Sequence, residues 1–299
     1  MPLPAPVMIA IPLMVIGSTC WEIERSTLAS YLREWGIGRS NLSPVDADIA
    51  DDPRHRLLTP RVALTHQTGF PNWRNDGAKK PLAFIADPGS GFTYSGEGYE
   101  YLRRFIEKKT GLPFETLVDV LVLKPSGMNS TTYSERPWMT GRIAMPMDRD
   151  GAHKSPDLAS TGNPNAADNL FVTVADYAVF MISAVNNERL PADIARERQR
   201  IQVHMPAADA CKVPATEGCP TSTDFNLGWT VYQFGETRIL SNSGMDWGEF
   251  ALVYIDPVTR NGMLLFTNGG NGVRVAMDAL AIFDFDSPVA AYGRAQMRK

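Results

Sequence analysis

The sequence predicts an α+β fold, in which helices flank an antiparallel sheet and the middle of the chain is mostly helical. The middle contains the clearest helical patterns, whereas the C-terminal third contains short strand-like segments and a hairpin signal. We therefore expect one domain over residues 1–299. Within it, residues 66–221 would form the helical region, and residues 1–65 with 222–299 the sheet-and-helix region.

The best-marked helix is predicted to begin after Ser95, because a serine side chain can cap a helix N-terminus. Glu97 would then lie in the first turn, where the helix dipole favours negative charge. Gly111 is expected to end this helix, since glycine adopts the left-handed conformation common after a helix. Pro113 can open a second helix that extends to about Leu123.

Other helices and the strands are predicted from periodicity and from β-branched and aromatic content. The further helical segments are residues 22–35, 173–186 and 273–283. The strand-like segments are residues 228–234, 238–242, 249–255 and 263–268. The last two are joined by DPVTRNG, whose Asn-Gly ending favours a hairpin.

The composition is that of an ordinary globular protein. The chain has 299 residues, a net charge of -4 and 44% hydrophobic residues, enough for a large core. The weak negative charge and the lack of a Lys/Arg cluster predict no nucleic-acid partner. No CxxC pair or Cys/His cluster is present, so the sequence predicts neither a metal nor another cofactor.

The cysteines and the N-terminus leave the compartment open. Cys211 and Cys219 flank a short loop and could form a local disulfide or remain free thiols. Residues 1–21 carry no charged side chain and could be an export signal, a membrane anchor or a buried core segment. Pro12 and the lack of a basic residue argue against a signal peptide. A cytoplasmic, periplasmic or secreted location remains compatible with the sequence.

Tyr94 stands directly before the Ser-Gly-Glu-Gly run at the entrance of the best-marked helix. A tyrosine at such a position can be part of the core, and it can also be a general base. Because the free phenol has a pKa of about 10, a base at neutral pH would need a nearby cation to hold the phenolate. The position alone leaves both roles open.

Several short motifs keep a fixed order along the chain. They are LTHQTGFP (64–71), DPGSGFTYSGEGY (87–99), TGLPFETLV (110–118), LVLKPSGMNSTTY (121–133), GW (228–229), SNSGMDWGEF (241–250) and LLFTNGGNG (264–272). In these motifs the sequence resembles serine hydrolases of the β-lactamase and penicillin-binding-protein family, in particular the esterase-like relatives of class C β-lactamases. The resemblance extends from about residue 24 to 285 and implies the β-lactamase/transpeptidase-like fold.

The resemblance implies an acyl-enzyme reaction on a small ester or amide, with a Ser-x-x-Lys nucleophile activated by a tyrosine. Tyr94 would be the general base, and Asn242, Ser243 and Gly244 would form the third motif beside the oxyanion. His66 resembles a structural histidine of the family. The predicted substrate cleft comprises Ser95, Glu97, Trp73, Asp246 and Trp247.

Three features depart from the family pattern. No serine in the sequence has a lysine three residues further on, and we expect the N-terminal strands that usually precede this motif to be missing as well. Gly96 stands where the second motif has asparagine. Asn242 stands where the third motif has lysine or histidine, so it cannot supply the positive charge that would lower the pKa of Tyr94.

The resemblance and its departures lead to four functional hypotheses. The first is a hydrolase whose nucleophile is not visible in the sequence, and the second is a shortened chain whose Ser-x-x-Lys motif lies upstream. The third is an inactive, cleft-bearing binding protein, and the fourth is an acyltransferase. Without N-terminal strands the sheet would have an open edge, so we expect a homo-oligomer or coverage of the edge by residues 1–20.

Overall fold

The computed structural model describes residues 41–42, 44–74, 80–156, 164–206 and 218–297. Over these residues an antiparallel sheet is packed between helices, which confirms the predicted α+β fold. The helix predicted over residues 22–35 and the N-terminal apolar segment lie outside the described residues. Cys219 is disulfide-bonded, and its partner also lies outside them.

Over the described residues, helices come first, the seven strands follow, and two helices come last, in an order close to the predicted one. The helices are α1 (Pro60–Leu64), α2 (Gly96–Thr110), α3 (Phe114–Val118), α4 (Val174–Val185), α5 (Ala192–Gln199), α6 (Gly272–Phe283) and α7 (Pro288–Met297). A π-helical turn (Asp119–Leu123) and a short helical turn (Lys124–Ser126) extend α3, and 3-10 turns occupy Ala47–Ile49, Pro53–Leu57 and Pro137–Met139. The strands are β1 (Val203–His204), β2 (Ser222–Phe225), β3 (Thr230–Phe234), β4 (Thr237–Ser241), β5 (Gly244–Asp246), β6 (Glu249–Ile255) and β7 (Gly262–Thr267).

Local chemistry sets both ends of α2, as the sequence predicts. The Ser95 hydroxyl accepts a hydrogen bond from the Gly98 amide at 3.0 Å, which satisfies one of the free amides of the first turn. Gly111 ends the helix with φ of 71°, in the left-handed region. The buried face of α2 packs against the loops before it, where Phe70 and Phe84 belong to the same core.

Strands β4 and β5 lie in one line beside β6. Ser241 pairs with Tyr254 and Gly244 pairs with Ala251, so both segments share one antiparallel register on β6. β7 pairs with the other side of β6, which confirms the predicted hairpin. Among the described residues, β7 has no second strand partner.

Each face of the sheet packs on helices. Val253 on β6 belongs to a core shared with α3 and α4, whereas its neighbours Leu252 and Tyr254 belong to a core shared with α6. This alternation is the two-residue period of a strand buried on both faces. Within the described part of the chain, no helix has the length and apolarity needed to cross a membrane.

Candidate active-site cleft

The backbone on both sides of Tyr94 is held by one residue, His66. The Thr93 amide donates to the His66 carbonyl at 2.7 Å, and the Ser95 amide donates to His66 Nδ1 at 3.1 Å. The imidazole stacks on the phenol ring, with 4.4 Å between centroids and 28° between planes. His66 therefore fixes the position of Tyr94.

The His66 ring is a neutral structural group. It is 1% exposed, and burial lowers the pKa of His66 to about 3. Because Nδ1 accepts a hydrogen bond from an amide, the single ring proton of this neutral imidazole resides on Nε2. His66 consequently positions Tyr94 without supplying a positive charge.

Tyr94 and the third motif line the same small cavity. Its volume is about 40 Å³, and Tyr94, Asn242 and Ser243 contribute to its wall. The structure thus brings together residues that are 148 positions apart along the chain, at the end of β4. The catalytic roles predicted for these residues remain predictions.

A side chain interrupts the strand ladder at the third motif. The Asn242 amide donates to the Val253 carbonyl at 3.1 Å, but the Val253 amide donates to the Ser243 hydroxyl at 2.8 Å. The Asn242 side-chain amide donates to the Gly228 carbonyl at 3.4 Å. Ser243 Oγ therefore has a structural partner, and Gly244 resumes the strand as the first residue of β5.

The electrostatic surroundings of Tyr94 favour the neutral phenol. Burial raises the pKa of Tyr94, and the carboxylate of Asp168 raises this pKa further. The third motif offers the uncharged Asn242 beside the same cavity. Tyr94 is therefore a hydrogen-bond donor at neutral pH rather than a resting phenolate.

A larger cavity of about 430 Å³ opens further along β5. Asp168, Asp246, Trp247 and Glu249 line it. Strand β5 begins directly after Ser243, which lines the small cavity, and ends at Asp246, which lines the larger one. We refer to the two cavities on either side of this strand segment together as the cleft. Among the described residues, no group of three or more His, Cys, Asp or Glu side chains is arranged to hold a metal ion.

A loop packed against glycines closes one side of this cleft. The Met147 amide donates to the Gly248 carbonyl at 3.4 Å, and the Gly270 amide donates to the Met147 carbonyl at 2.7 Å. A Cβ atom at Gly248 would lie 2.8 Å from the Met147 amide nitrogen, and one at Gly270 would lie 2.8 Å from the Arg149 amide nitrogen. The approach is therefore possible only because both residues lack a side chain.

Asp246 and Trp247 line the larger cavity, whereas Ser95, Glu97 and Trp73 line neither of these two cavities, and their role as cleft residues stays a prediction. Ser95 is fully buried as the cap of α2, and its hydroxyl donates to the Pro71 carbonyl at 2.8 Å. Glu97 is 5% exposed and is paired with arginines. Trp73 packs on the helical core.

The ring of Trp73 explains the glycine of the second motif. A Cβ atom at Gly96 would lie 2.4 Å from two carbon atoms of this ring. An asparagine in place of Gly96 would therefore clash with Trp73 unless the indole moved. The departure from the family pattern is thus matched by a neighbouring side chain.

Comparisons with known proteins agree with this architecture. The family model described as Beta-lactamase matches residues 30–287. The D-stereospecific amidohydrolase from Streptomyces sp. has a TM-score of 0.64 at 16% identity, over 95% of this chain and 88% of that chain. The penicillin binding protein from Bacillus halodurans has a TM-score of 0.64 at 18% identity, over 93% and 85%.

A third similar structure is the octameric penicillin-binding protein homologue from Pyrococcus abyssi, with a TM-score of 0.56 at 19% identity. The match covers 76% of this chain but only 56% of that chain, so this chain spans about half the length of that relative. No curated protein matches the chain significantly. At these identities the structural likeness establishes the fold.

Proposed function

Because this chain belongs to the β-lactamase family of serine hydrolases, we propose that its cleft binds a small ester or amide next to Tyr94. The observation that supports this most directly is the meeting of Tyr94, Asn242 and Ser243 at one cavity, with a ligand-sized cavity of about 430 Å³ at the other end of β5. Structural neighbours described as D-amino acid amidases and as a D-stereospecific amidohydrolase favour an amide.

The proposed reaction passes through an acyl-enzyme. A serine hydroxyl attacks the carbonyl carbon and gives its proton to a base, and the leaving group departs with a proton. Water then cleaves the acyl-serine bond, which releases the acid and restores the hydroxyl. The Asn242–Gly244 segment would lie beside the developing oxyanion, and Tyr94 would carry the proton to or from the nucleophile.

Two features favour a second candidate, a cleft that binds its ligand without turnover. The sequence contains no Ser-x-x-Lys motif, and the carboxylate charge of Asp168 raises the pKa of Tyr94, which favours the neutral phenol. An acyltransferase would use the same acyl-enzyme and differ only in the acceptor that replaces water. The hydrolase, the binding protein and the acyltransferase share the cleft and differ in the chemical step after binding.

The test is the intact mass of the protein after incubation with a fluorophosphonate and, separately, with a penicillin. A stoichiometric adduct supports the hydrolase or acyltransferase, and peptide mapping names the nucleophile. Tyr94→Phe should then slow adduct formation at least tenfold, since general-base groups typically contribute about 100-fold or more. Tyr292→Phe is the control, because Tyr292 packs on Tyr232 and lines neither cavity.

The outcomes separate the candidates. No adduct on folded protein, together with saturable ligand binding, would favour the binding protein. An adduct that forms equally fast in Tyr94→Phe would show that Tyr94 has no role in proton transfer. Transfer of a radiolabelled acyl group to an added alcohol, in preference to water, would favour the acyltransferase.

A further inference from the structure

The wall of the larger cavity contains an ammonium group of the chain itself, that of Lys154. Lys154 Nζ lies 5.4 Å from the centroid of the Trp247 ring, within the range of a cation–π contact. The charge of Lys154 also acts on the Glu249 carboxylate. Lys154, Trp247 and Glu249 all line the same cavity, so its wall carries a cation, an aromatic ring and a carboxylate.

The Lys154 side chain is held there weakly. Its backbone amide donates to the Pro146 carbonyl at 3.1 Å, but the side chain is exposed to solvent. An exposed cation–π contact is weak, and holding a flexible lysine in one conformation costs rotamer entropy. A ligand whose ammonium reaches the same position could therefore replace Lys154 with little loss.

The rest of the wall provides further negative charge and an apolar surface. Glu249 is exposed, but partial loss of water at the cavity wall raises its pKa, and the charges of Asp246 and Asp168 raise it further. An additional cation would relieve this repulsion. Leu170 and Phe266 line the same cavity and offer an apolar surface to the remainder of a ligand.

We propose that the larger cavity binds a small primary amine whose ammonium takes the place of Lys154 between Trp247 and Glu249, with its apolar part against Leu170 and Phe266. If the proposed function holds, the substrates would be esters or amides that carry a free ammonium group; only this statement about the reaction rests on the proposed function. The binding step itself requires no nucleophile.

The test compares two probes of nearly equal shape, 2-phenylethylamine and 2-phenylethanol, by isothermal titration at pH 7 with the full chain. We expect the amine to bind at least tenfold more tightly than the alcohol. Glu249→Gln should remove most of this preference. Lys154→Met should tighten amine binding severalfold and leave alcohol binding unchanged, because it removes the competing internal cation.

Glu236→Gln is the matched control for loss of one negative charge, since Glu236 is an exposed turn residue between β3 and β4 that lines neither cavity. Equal affinities for the two probes, no binding of either, or weaker amine binding in Lys154→Met would each overturn the proposal. The readout is independent of turnover. A chain that forms no fluorophosphonate adduct can still bind the amine, and an active chain can still fail to prefer it.

Discussion

Replacing Glu97 with alanine is expected to destabilise the protein strongly. Glu97 Oε1 accepts hydrogen bonds from Arg74 at 2.6 Å and from Arg104 at 2.9 Å, and the residue is 5% exposed. Arg74 also pairs with Asp46 at 2.5 Å and with Asp48 at 3.4 Å, so three carboxylates and two guanidinium groups form one network. The network joins the start of α2 to the loops that contain Asp46 and Arg74.

The magnitude depends on the charges that the alanine variant leaves behind. Removing one partner of a buried ion pair costs about 3–5 kcal/mol, mainly because the other charge stays buried without compensation. Here Arg74 would keep Asp46, and Arg104 is only partly buried, with 28% of its side chain exposed. We therefore expect the lower end of that range, about 3 kcal/mol.

Urea unfolding followed by tryptophan fluorescence and far-UV circular dichroism measures this cost. With an m-value of about 3 kcal/mol/M, the midpoint should fall by about 1 M. The control is Glu236→Ala in the exposed β3–β4 turn, which should change stability by less than about 0.5 kcal/mol. A Glu97→Ala midpoint within 0.2 M (roughly 0.6 kcal/mol) of the unmodified protein would refute the reasoning.

Three further predictions concern pH, packing and the sheet edge. Burial alone would raise the pKa of Glu97, but the hydrogen bonds from Arg74 and Arg104 outweigh burial and lower this pKa. The stabilisation from the Glu97 carboxylate is therefore present above its unfolded-state pKa and is lost as pH falls through its folded-state pKa. Urea midpoints below pH 5 should consequently fall more steeply with decreasing pH in the unmodified protein than in Glu97→Gln. Gly96→Ala should destabilise by about 1 kcal/mol, because the clash with Trp73 exceeds the helix-propensity gain, and an unchanged melting temperature would contradict this. Because β7 has no second strand partner among the described residues, we propose a homo-oligomer or an edge covered by residues 1–20. A one-chain mass by light scattering, with residues 1–20 readily cleaved, would exclude both.

Sequence patterns predicted those elements whose signals are local. Ser95 and Gly111 set the ends of α2 by their own chemistry, and the Asn-Gly turn marked the hairpin of β6 and β7. The sequence missed β1 and β5, which are two and three residues long, because periodicity needs more residues than that.

Longer elements were missed for other reasons. Strand β2 contains Asp224, a residue typical of turns, yet Asp224 is 1% exposed because the Ser222 hydroxyl and the exposed His204 ring satisfy its carboxylate. Helix α7 contains Gly293, which disfavours a helix, but a Cβ atom there would lie 2.3 Å from the Met277 sulfur. In both cases a tertiary contact outweighs the local preference.

The candidate site was predicted through the order of family motifs, whereas several of its contacts come from residues that are distant in sequence. The sequence predicted Glu97 in the first turn of the helix, but its partner Arg74 comes from a loop 23 positions away. Asp168 received no role from the sequence, and only the fold shows that its charge acts on Tyr94. No local pattern would have revealed that proximity.

The close packing of Met147 against Gly248 and Gly270 has an evolutionary consequence. A methyl group at either glycine would clash with the backbone of the segment around Met147, so this segment would have to move away from the glycine. Pro146 and Asn268 line the larger cavity beside this segment, so such a displacement would change the shape of the cavity. A lineage could thus change which ligand fits through two positions outside the cavity lining, while the lining side chains stay the same.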